Sequence, residues 1–402
     1  MSYHFQKAYA NLKLQEGIHV LEQFLVNCYF SPESSTKELA RKMLLPIPIA
    51  AAIKKELITA GLLKQSNGTE CTAEGKETVE NQLGFAEINK DLYQTLMSSQ
   101  THWEYLLEDL LIELEPFFDL RPQVNVEIDQ AKCTLKTSVA RAILCLREHS
   151  LIGKKVLCVG DDDLVSISLG FLLKRIFPSV HHTKTVIDVL DVDERYIDYI
   201  QQISNDHHLP INCHKIDLKH PLPERLCDKY DCFYTDPPYT LQGLMLFVSR
   251  GVAALKKNKG LPIFLSYAHK SPDCMLKVHQ ELLKMGLSVK EVTLHFNEYE
   301  GAQIIGSKGQ MLILQTTDST LPAYIDHYGG ALYTGEMNRK QRKYRCKKCR
   351  HVVRVGIKME FPTIEKLKKS GCPKCRYDRF DLVEKKHKGV SQNTKGKSLH
   401  NN

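Results

Sequence analysis

Apolar residues recur at helical spacing through HVLEQFLVNCYF, KELARKML and IAAAIKKELITAGLL, which predicts three helices before Gly61. Ser35 and Thr36, with Glu38 close behind, mark the start of the second. The stretch KQSNGTECTAEG carries the turn signal Asn67-Gly68 between short polar strands and predicts a hairpin. HWEYLLEDLLIELEPFF, further on, is acidic on one side and apolar on the other, as an amphipathic helix requires.

From Lys154 the period changes. KKVLCVG is a short apolar run bounded by turn residues and predicts a buried strand. LVSISLGFLLKRI predicts a helix, TVIDVLDVD a strand, ERYIDYIQQIS a helix, INCHKIDL and YDCFYTD two strands. GLMLFVSRGVAALKK, PIFLSYA and CMLKVHQELLKMG continue the alternation, and SVKEVTLHFNEY and GQMLILQTT close it with two hairpin-like strands. Strands alternating with helices predict an α/β fold with a doubly wound parallel sheet. The terminal strand pair is that of the methyltransferase-type variant of the Rossmann-like fold. Three helices and a hairpin follow the winged-helix order. The expected organisation is a winged-helix-like domain over 1–85, a helical connector over 86–120, a Rossmann-like catalytic domain over 121–330, a small basic zinc-ribbon-like module over 331–385, and a polar, disordered tail over 386–402.

Charge sharpens this picture. The net charge of +8 is uneven: residues 339–402 hold 21 Lys/Arg against 5 Asp/Glu, and the remainder holds 34 against 42. An acidic body suits a cationic substrate, whereas a nucleic-acid enzyme usually surrounds its site with positive charge. The first 80 residues carry nine cations and nine anions, so the winged-helix-like unit reads as a structural or dimerisation module and not a DNA reader. A homodimer is accordingly among the expected assemblies. No run of some eighteen apolar residues is present and the start is not a secretory signal, so a cytoplasmic protein without membrane contact is expected. Of 13 cysteines, nine are scattered and read as small buried hydrophobes. The other four, Cys346-x-x-Cys349 and Cys372-x-x-Cys375 separated by 22 residues, have zinc-ribbon spacing and predict one structural Zn. The basic segment around them leaves nucleic-acid contact and a solvated stabilising module about even.

The candidate chemistry lies at the strand ends, where open α/β sheets bind ligands. Gly160 permits a tight turn after the first strand. Asp161, Asp162 and Asp163 follow it; three carboxylates would repel a pyrophosphate and suit a sulfonium, an amine or a metal cation. Asp191 ends the second strand and can accept both ribose hydroxyls; Asp193 shares its face or caps the next helix. Asp217 ends the third strand, placed to accept from an adenine amino group. Asp236-Pro237-Pro238-Tyr239 follows the fourth: the prolines stiffen the loop, Asp236 can hydrogen-bond an amine, and Tyr239 can stack on it. This loop signals an amine nucleophile and a sulfonium donor, and leaves the substrate open. A methyltransferase acting on nucleic-acid bases is the alternative, and a catalytically degenerate nucleic-acid-binding regulator a third reading.

Together, VGDDDL, VLDVDERYIDYI, the stretch from DLKHPLPERL to DPPYTLQGLMLFVSRGVAALK, FNEY, and EIDQAKCTLKTSVAR upstream resemble the branched-chain polyamine synthase family over roughly residues 120–315. The resemblance implies aminopropyl transfer from decarboxylated S-adenosylmethionine to a secondary nitrogen of spermidine, giving branched polyamines such as N4-bis(aminopropyl)spermidine. It places the donor on Gly160, Asp191, Asp193, Asp217 and Pro237, the chemistry on Asp161–Asp163, Asp236 and Tyr239, and the polyamine near Glu298 and Tyr299. Which carboxylate is the base stays open. The segment FLSYAHKSPD, with His269, departs from the family's glycine-and-histidine version, and the cysteine tail is additional.

Overall fold

The structure is a computed structural model. It describes residues 3–12, 14–66, 68–98, 102–179, 184–300, 308–337, 342–356 and 359–383. Asn67 of the expected hairpin turn and the expected disordered tail lie outside the described residues. The chain divides into two compact units, Met1–Tyr333 and Thr334–Asn402.

The first unit opens with α1 (Tyr3–Leu12), α2 (His19–Phe30), α3 (Thr36–Lys42) and α4 (Ile47–Thr59), then the hairpin β1 (Leu63–Gln65) and β2 (Thr69–Cys71). Ser35 and Glu38 form a reciprocal capping box at the start of α3, so the sequence signal there reflects satisfied backbone donors. Pro46 and Pro48 bracket the start of α4, where a missing amide hydrogen is harmless. The short helices α5 (Ala73–Glu77), α6 (Lys90–Met97) and α7 (Trp103–Leu106) lead to α8 (Glu108–Leu120), whose Leu110, Leu114 and Phe118 are buried. The helices do not form a core of their own. Phe24, Leu57, Leu96 and Leu114 belong to one continuous buried cluster with Val156, Ile187 and Phe264 of the sheet.

Helix α9 (Leu135–Arg147), capped by Thr134, precedes the sheet. The α/β alternation then runs β3 (Lys155–Val159), α10 (Val165–Ile176), β4 (Val186–Asp191), α11 (Glu194–His207), β5 (Ile211–Lys215), β6 (Cys232–Thr235), α12 (Leu241–Ala254), β7 (Pro262–Ala268), α13 (Pro272–Lys284), β8 (Leu287–Glu298) and β9 (Lys308–Thr316). The sheet order is β5-β4-β3-β6-β7-β9-β8, with only β9 antiparallel to its neighbours β7 and β8. This is the doubly wound, methyltransferase-type sheet expected from the sequence. β6 and β7 are buried along their whole length because helices cover both faces of the parallel strands. The chain winds outward from β3 to β5 and returns to β6, so the switch point lies between β3 and β6.

The second unit holds α14 (Thr334–Met337), β10 (Arg342–Cys346), β11 (Val352–Val355), α15 (Ile364–Ser370) and β12 (Phe380–Leu382). The three strands form an antiparallel sheet in the order β11-β10-β12 over a small core of Tyr344, Val353, Val355, Phe361 and Leu367. No helix among the described residues is long and apolar enough to cross a membrane.

Candidate active site

Strand register brings the candidate residues together. Val159 of β3 pairs with Leu190 of β4 and with Thr235 of β6. The next residues along those strands are Gly160, Asp191 and Asp236, which therefore form one row across the switch point. Gly160 has φ of +78°, a left-handed value that suits glycine. A cleft of about 500 Å³, open to solvent, runs along this row. Asp162, Asp191 and Asp236 line it, with Val192, Ile216, Leu218 and Phe247 as apolar walls and Gln130 from the segment before α9. Such a cleft accepts hydrogen-bond donors and cations beside an apolar plate, and repels phosphate.

The three consecutive acids have three different environments. Asp161 accepts from the amides of Val165 (2.7 Å) and Ser166 (3.1 Å), so it caps the first turn of α10. Burial pushes its pKa up to about 7 against the pull of those amides. Asp163 accepts from the Cys133 amide (2.7 Å) and from Arg141 Nη1 (2.6 Å). Burial works to raise its pKa, but the adjacent guanidinium overrides it and holds the carboxyl below the ordinary range. Asp162 accepts from the Ala131 amide (3.1 Å) through one oxygen. Burial, then the neighbouring charges of Asp163, Asp191 and Asp236, push it well above the ordinary carboxylate range.

The organising group is Arg141, which sequence reasoning missed. It is almost fully buried on α9. Its Nη1 donates to Asp163, its Nε to Asn297 Oδ1 (2.9 Å), and its Nη2 reaches Asp236 Oδ2 (3.0 Å), Ser266 Oγ (3.1 Å) and the Tyr299 hydroxyl (3.3 Å). Tyr299 donates to Asp236 Oδ2 at 2.6 Å. Both donors reach the same oxygen of Asp236, which also lines the cleft. Burial, with Asp163 nearby, raises the Asp236 pKa despite Arg141. The signal was present: Ser138, Arg141 and Cys145 lie on one buried helical stripe, and a buried cation there demands anionic partners.

Several expected residues sit elsewhere. Glu298 is half exposed and paired with Lys308 (2.9 Å), away from the acid cluster. The reason is strand alternation: Asn297 and Tyr299 point inward, so the residue between them points out. Of Asn297 and Glu298, Asn297 is the buried residue and accepts from Arg141. Asp217 is exposed and accepts from the Lys219 amide (2.9 Å), while its neighbours Ile216 and Leu218 line the cleft. Asp193 caps α11 and pairs with Arg195 and with Gln130 Nε2 (3.2 Å). Pro237 is buried, and Pro238 meets the cleft instead. The Tyr239 ring is faced by Lys270 Nζ, 5.4 Å from its centroid, so an intrinsic cation already uses that face. His269 packs against His295 with the rings tilted and their centroids 4.9 Å apart.

Asp191 accepts from the amides of Asp161 (3.1 Å) and Asp193 (2.8 Å), and burial raises its pKa. These two bonds fix its carboxylate at the cleft edge with one lone pair of each oxygen left for a ligand.

A larger cavity lies at the amino ends of the strands, far from this chemistry. His19, Glu22, His149 and Lys154 line it, and Lys154 pairs with Glu22. Burial lowers the His19 pKa to about 4 and that of His149 to about 3, so both rings are neutral near pH 7.

In the second unit, Cys346, Cys349, Cys372 and Cys375 form one cluster, with ligand atoms all within 4.8 Å of one another. Sγ of Cys346 lies 3.6 Å from that of Cys375, and Cys349 is as far from Cys372. Four bonds of about 2.3 Å to a tetrahedral zinc would separate the sulfurs by roughly 3.8 Å, so the set fits that ion.

The model for the Branched-chain polyamine synthase A C-terminal domain matches residues 109–344. An uncharacterized protein of Methanocaldococcus jannaschii, MJ0675, is 32% identical over 373 residues, 92% of this chain and 90% of that protein. The N(4)-bis(aminopropyl)spermidine synthase of the same organism is 28% identical over 63% of this chain and 70% of its own length. That of Thermococcus kodakarensis is 31% identical with the same coverage. Among solved structures, the Thermus thermophilus branched-chain polyamine synthase in complex with N4-aminopropylspermidine and 5'-methylthioadenosine aligns with a TM-score of 0.49 and 21% identity, over 83% of this chain and 96% of that one.

Proposed function

Because the chain belongs to the branched-chain polyamine synthase family, we propose that it transfers aminopropyl groups from decarboxylated S-adenosylmethionine to a secondary nitrogen of spermidine, giving a branched polyamine. The observation that carries the reading is the division of labour among the acids. Asp161 and Asp163 are committed to a helix end and to Arg141, while Asp162 and Asp236 line the cleft. The donor's ribose would lie on Asp191 and its adenine against Val192, Ile216 and Leu218. The acceptor nitrogen would lie between Asp236 and Asp162. Its lone pair attacks the aminopropyl carbon bonded to sulfur; the C–N bond forms as the C–S bond breaks, and the bonding pair leaves with the sulfur as 5'-methylthioadenosine. The proton of the attacking amine passes to Asp162, whose raised pKa makes its carboxylate a stronger base than an ordinary one. A sulfonium is its own leaving group, so positioning supplies most of the rate. Incubation with decarboxylated or intact S-adenosylmethionine, offering spermidine or RNA, tests this by mass spectrometry. Spermidine gaining aminopropyl mass from the decarboxylated donor is expected; consumption of the intact donor with methylated RNA would overturn it.

Asp191→Asn is expected to raise the donor KM by about ten-fold with little change in kcat, since a ribose contact is alike in ground and transition states. A large fall in kcat at unchanged KM would remove Asp191 from the donor site.

The same reading makes residues 1–85 a winged-helix-like structural or dimerisation module, supported by the run α2, α3, α4 and hairpin that follows the additional helix α1. It makes the cysteine cluster a structural zinc site, which would tie the turn after β10 to the turn before β12. Metal analysis should find one zinc per chain, and none in the variant with serine at all four positions. Equal zinc in both would sink the assignment.

A further inference from the structure

We propose that the solvent face of the small β11-β10-β12 sheet binds an unpaired RNA segment through its phosphates. This inference stands apart from the reading of the cleft. Residues 342–383 hold 14 Lys/Arg against 4 Asp/Glu. Each of these cations whose exposure is described is exposed. The alternation of the strands sorts them. Tyr344, Val353 and Val355 turn into the core, which puts Lys343, Arg345 and Arg354 on the opposite face. Lys343 stands directly across from Arg354 in the ladder. Like charges in that position destabilise a strand pair, so folding alone gives no reason to keep them there.

The chemistry of the face selects its partner. Closely spaced cations on a rigid sheet match the phosphate spacing of a nucleic-acid strand, and they repel a free polyamine. Val352, 41% exposed, lies opposite Arg345 on the same face. The exposed guanidinium groups of Arg345 and Arg354 offer unpaired bases planar groups to stack on, with Val352 as an apolar neighbour, which a duplex cannot use. Among the described strand residues the face carries one carboxylate, Asp381, opposite Arg345 on β12; it is paired with Lys347 (3.1 Å). An unpaired RNA strand satisfies both the charge and the apolar feature.

The test uses the full chain and fluorescence anisotropy with labelled oligouridylate, titrated across salt concentrations. The wild type should bind at low salt, with log K falling linearly with log salt. The triple variant Lys343→Gln, Arg345→Gln, Arg354→Gln should bind more weakly, and its slope should be shallower by about 2, from roughly 0.7 per lost phosphate contact. A charge-keeping variant, Lys343→Arg, Arg345→Lys, Arg354→Lys, should retain the wild-type slope and guards against a folding defect. No binding by the wild type, or an unchanged slope in the neutral variant, would overturn the proposal. So would tighter binding of duplex DNA, or equal competition by polyglutamate at matched charge, which would assign the face to an acidic protein.

Discussion

Replacing Asp162 by Asn is expected to lower kcat for aminopropyl transfer by two or more orders of magnitude while donor binding stays near normal. A positioned general base contributes about 10²–10⁴-fold, and Asp162 is the acid best placed for that role. Asp161 is engaged by the first turn of α10 and Asp163 by Arg141, so both are held by structural contacts and neither lines the cleft beside Asp191. Asp162 accepts one backbone amide and lines the cleft. Its pKa is raised by burial and then by three neighbouring acids. The base must be ionised, so the wild-type rate should rise with pH through that raised pKa, on an acid limb above the ordinary carboxylate range. Asn cannot titrate, and the variant should lose this limb while keeping any dependence due to the acceptor amine. Steady-state rates across pH, with donor binding measured by calorimetry, check both points. Near-normal turnover in the variant would return the role to Asp236 or to solvent.

The legible part of the site is the part written into strand ends. Alternating strands and helices located Gly160, Asp191 and Asp236 at the carboxyl ends of three neighbouring strands, and the register puts them in a row. The cysteine quartet was legible because its spacing leaves few alternatives. What the sequence hid depends on contacts between distant segments. Nothing in Asp161-Asp162-Asp163 says that the first caps a helix and the third meets a guanidinium 22 residues upstream. The FNEY stretch does not show which alternate residues face in: Asn297 and Tyr299 reach Arg141, and Glu298 faces solvent. Nor does the sequence show that Asp217 is exposed and held by a turn amide while its apolar neighbours line the cleft. The N-terminal helices were read as a separate domain, yet they share one core with the sheet, a fact set by tertiary packing and not by local period.

The second large effect is expected at Arg141, in stability and in turnover together. Its guanidinium bridges Asp163 and Asp236 while both carboxylates are largely shielded from water. Removing one member of such a buried set leaves uncompensated charge and costs about 3–5 kcal/mol. Arg141→Met should therefore lower the urea midpoint markedly near pH 7. The sign of its pH dependence is diagnostic. In the wild type, Asp163 has a lowered pKa, so its contribution is present above the unfolded value and is lost as pH falls through the folded one. Without the guanidinium, burial would raise the Asp163 pKa. The contribution would then be greatest at low pH and lost as pH rises, and the gap between variant and wild type should narrow on acidification towards about pH 4. Arg141→Lys keeps the charge but replaces a planar fork reaching five partners with a single point donor. It should recover part of the stability and little of the turnover, because Asp236 would lose one of the two donors that fix its orientation. If Arg141→Met unfolds at the wild-type midpoint near pH 7, or Arg141→Lys turns over at the wild-type rate, the guanidinium neither balances nor positions these acids.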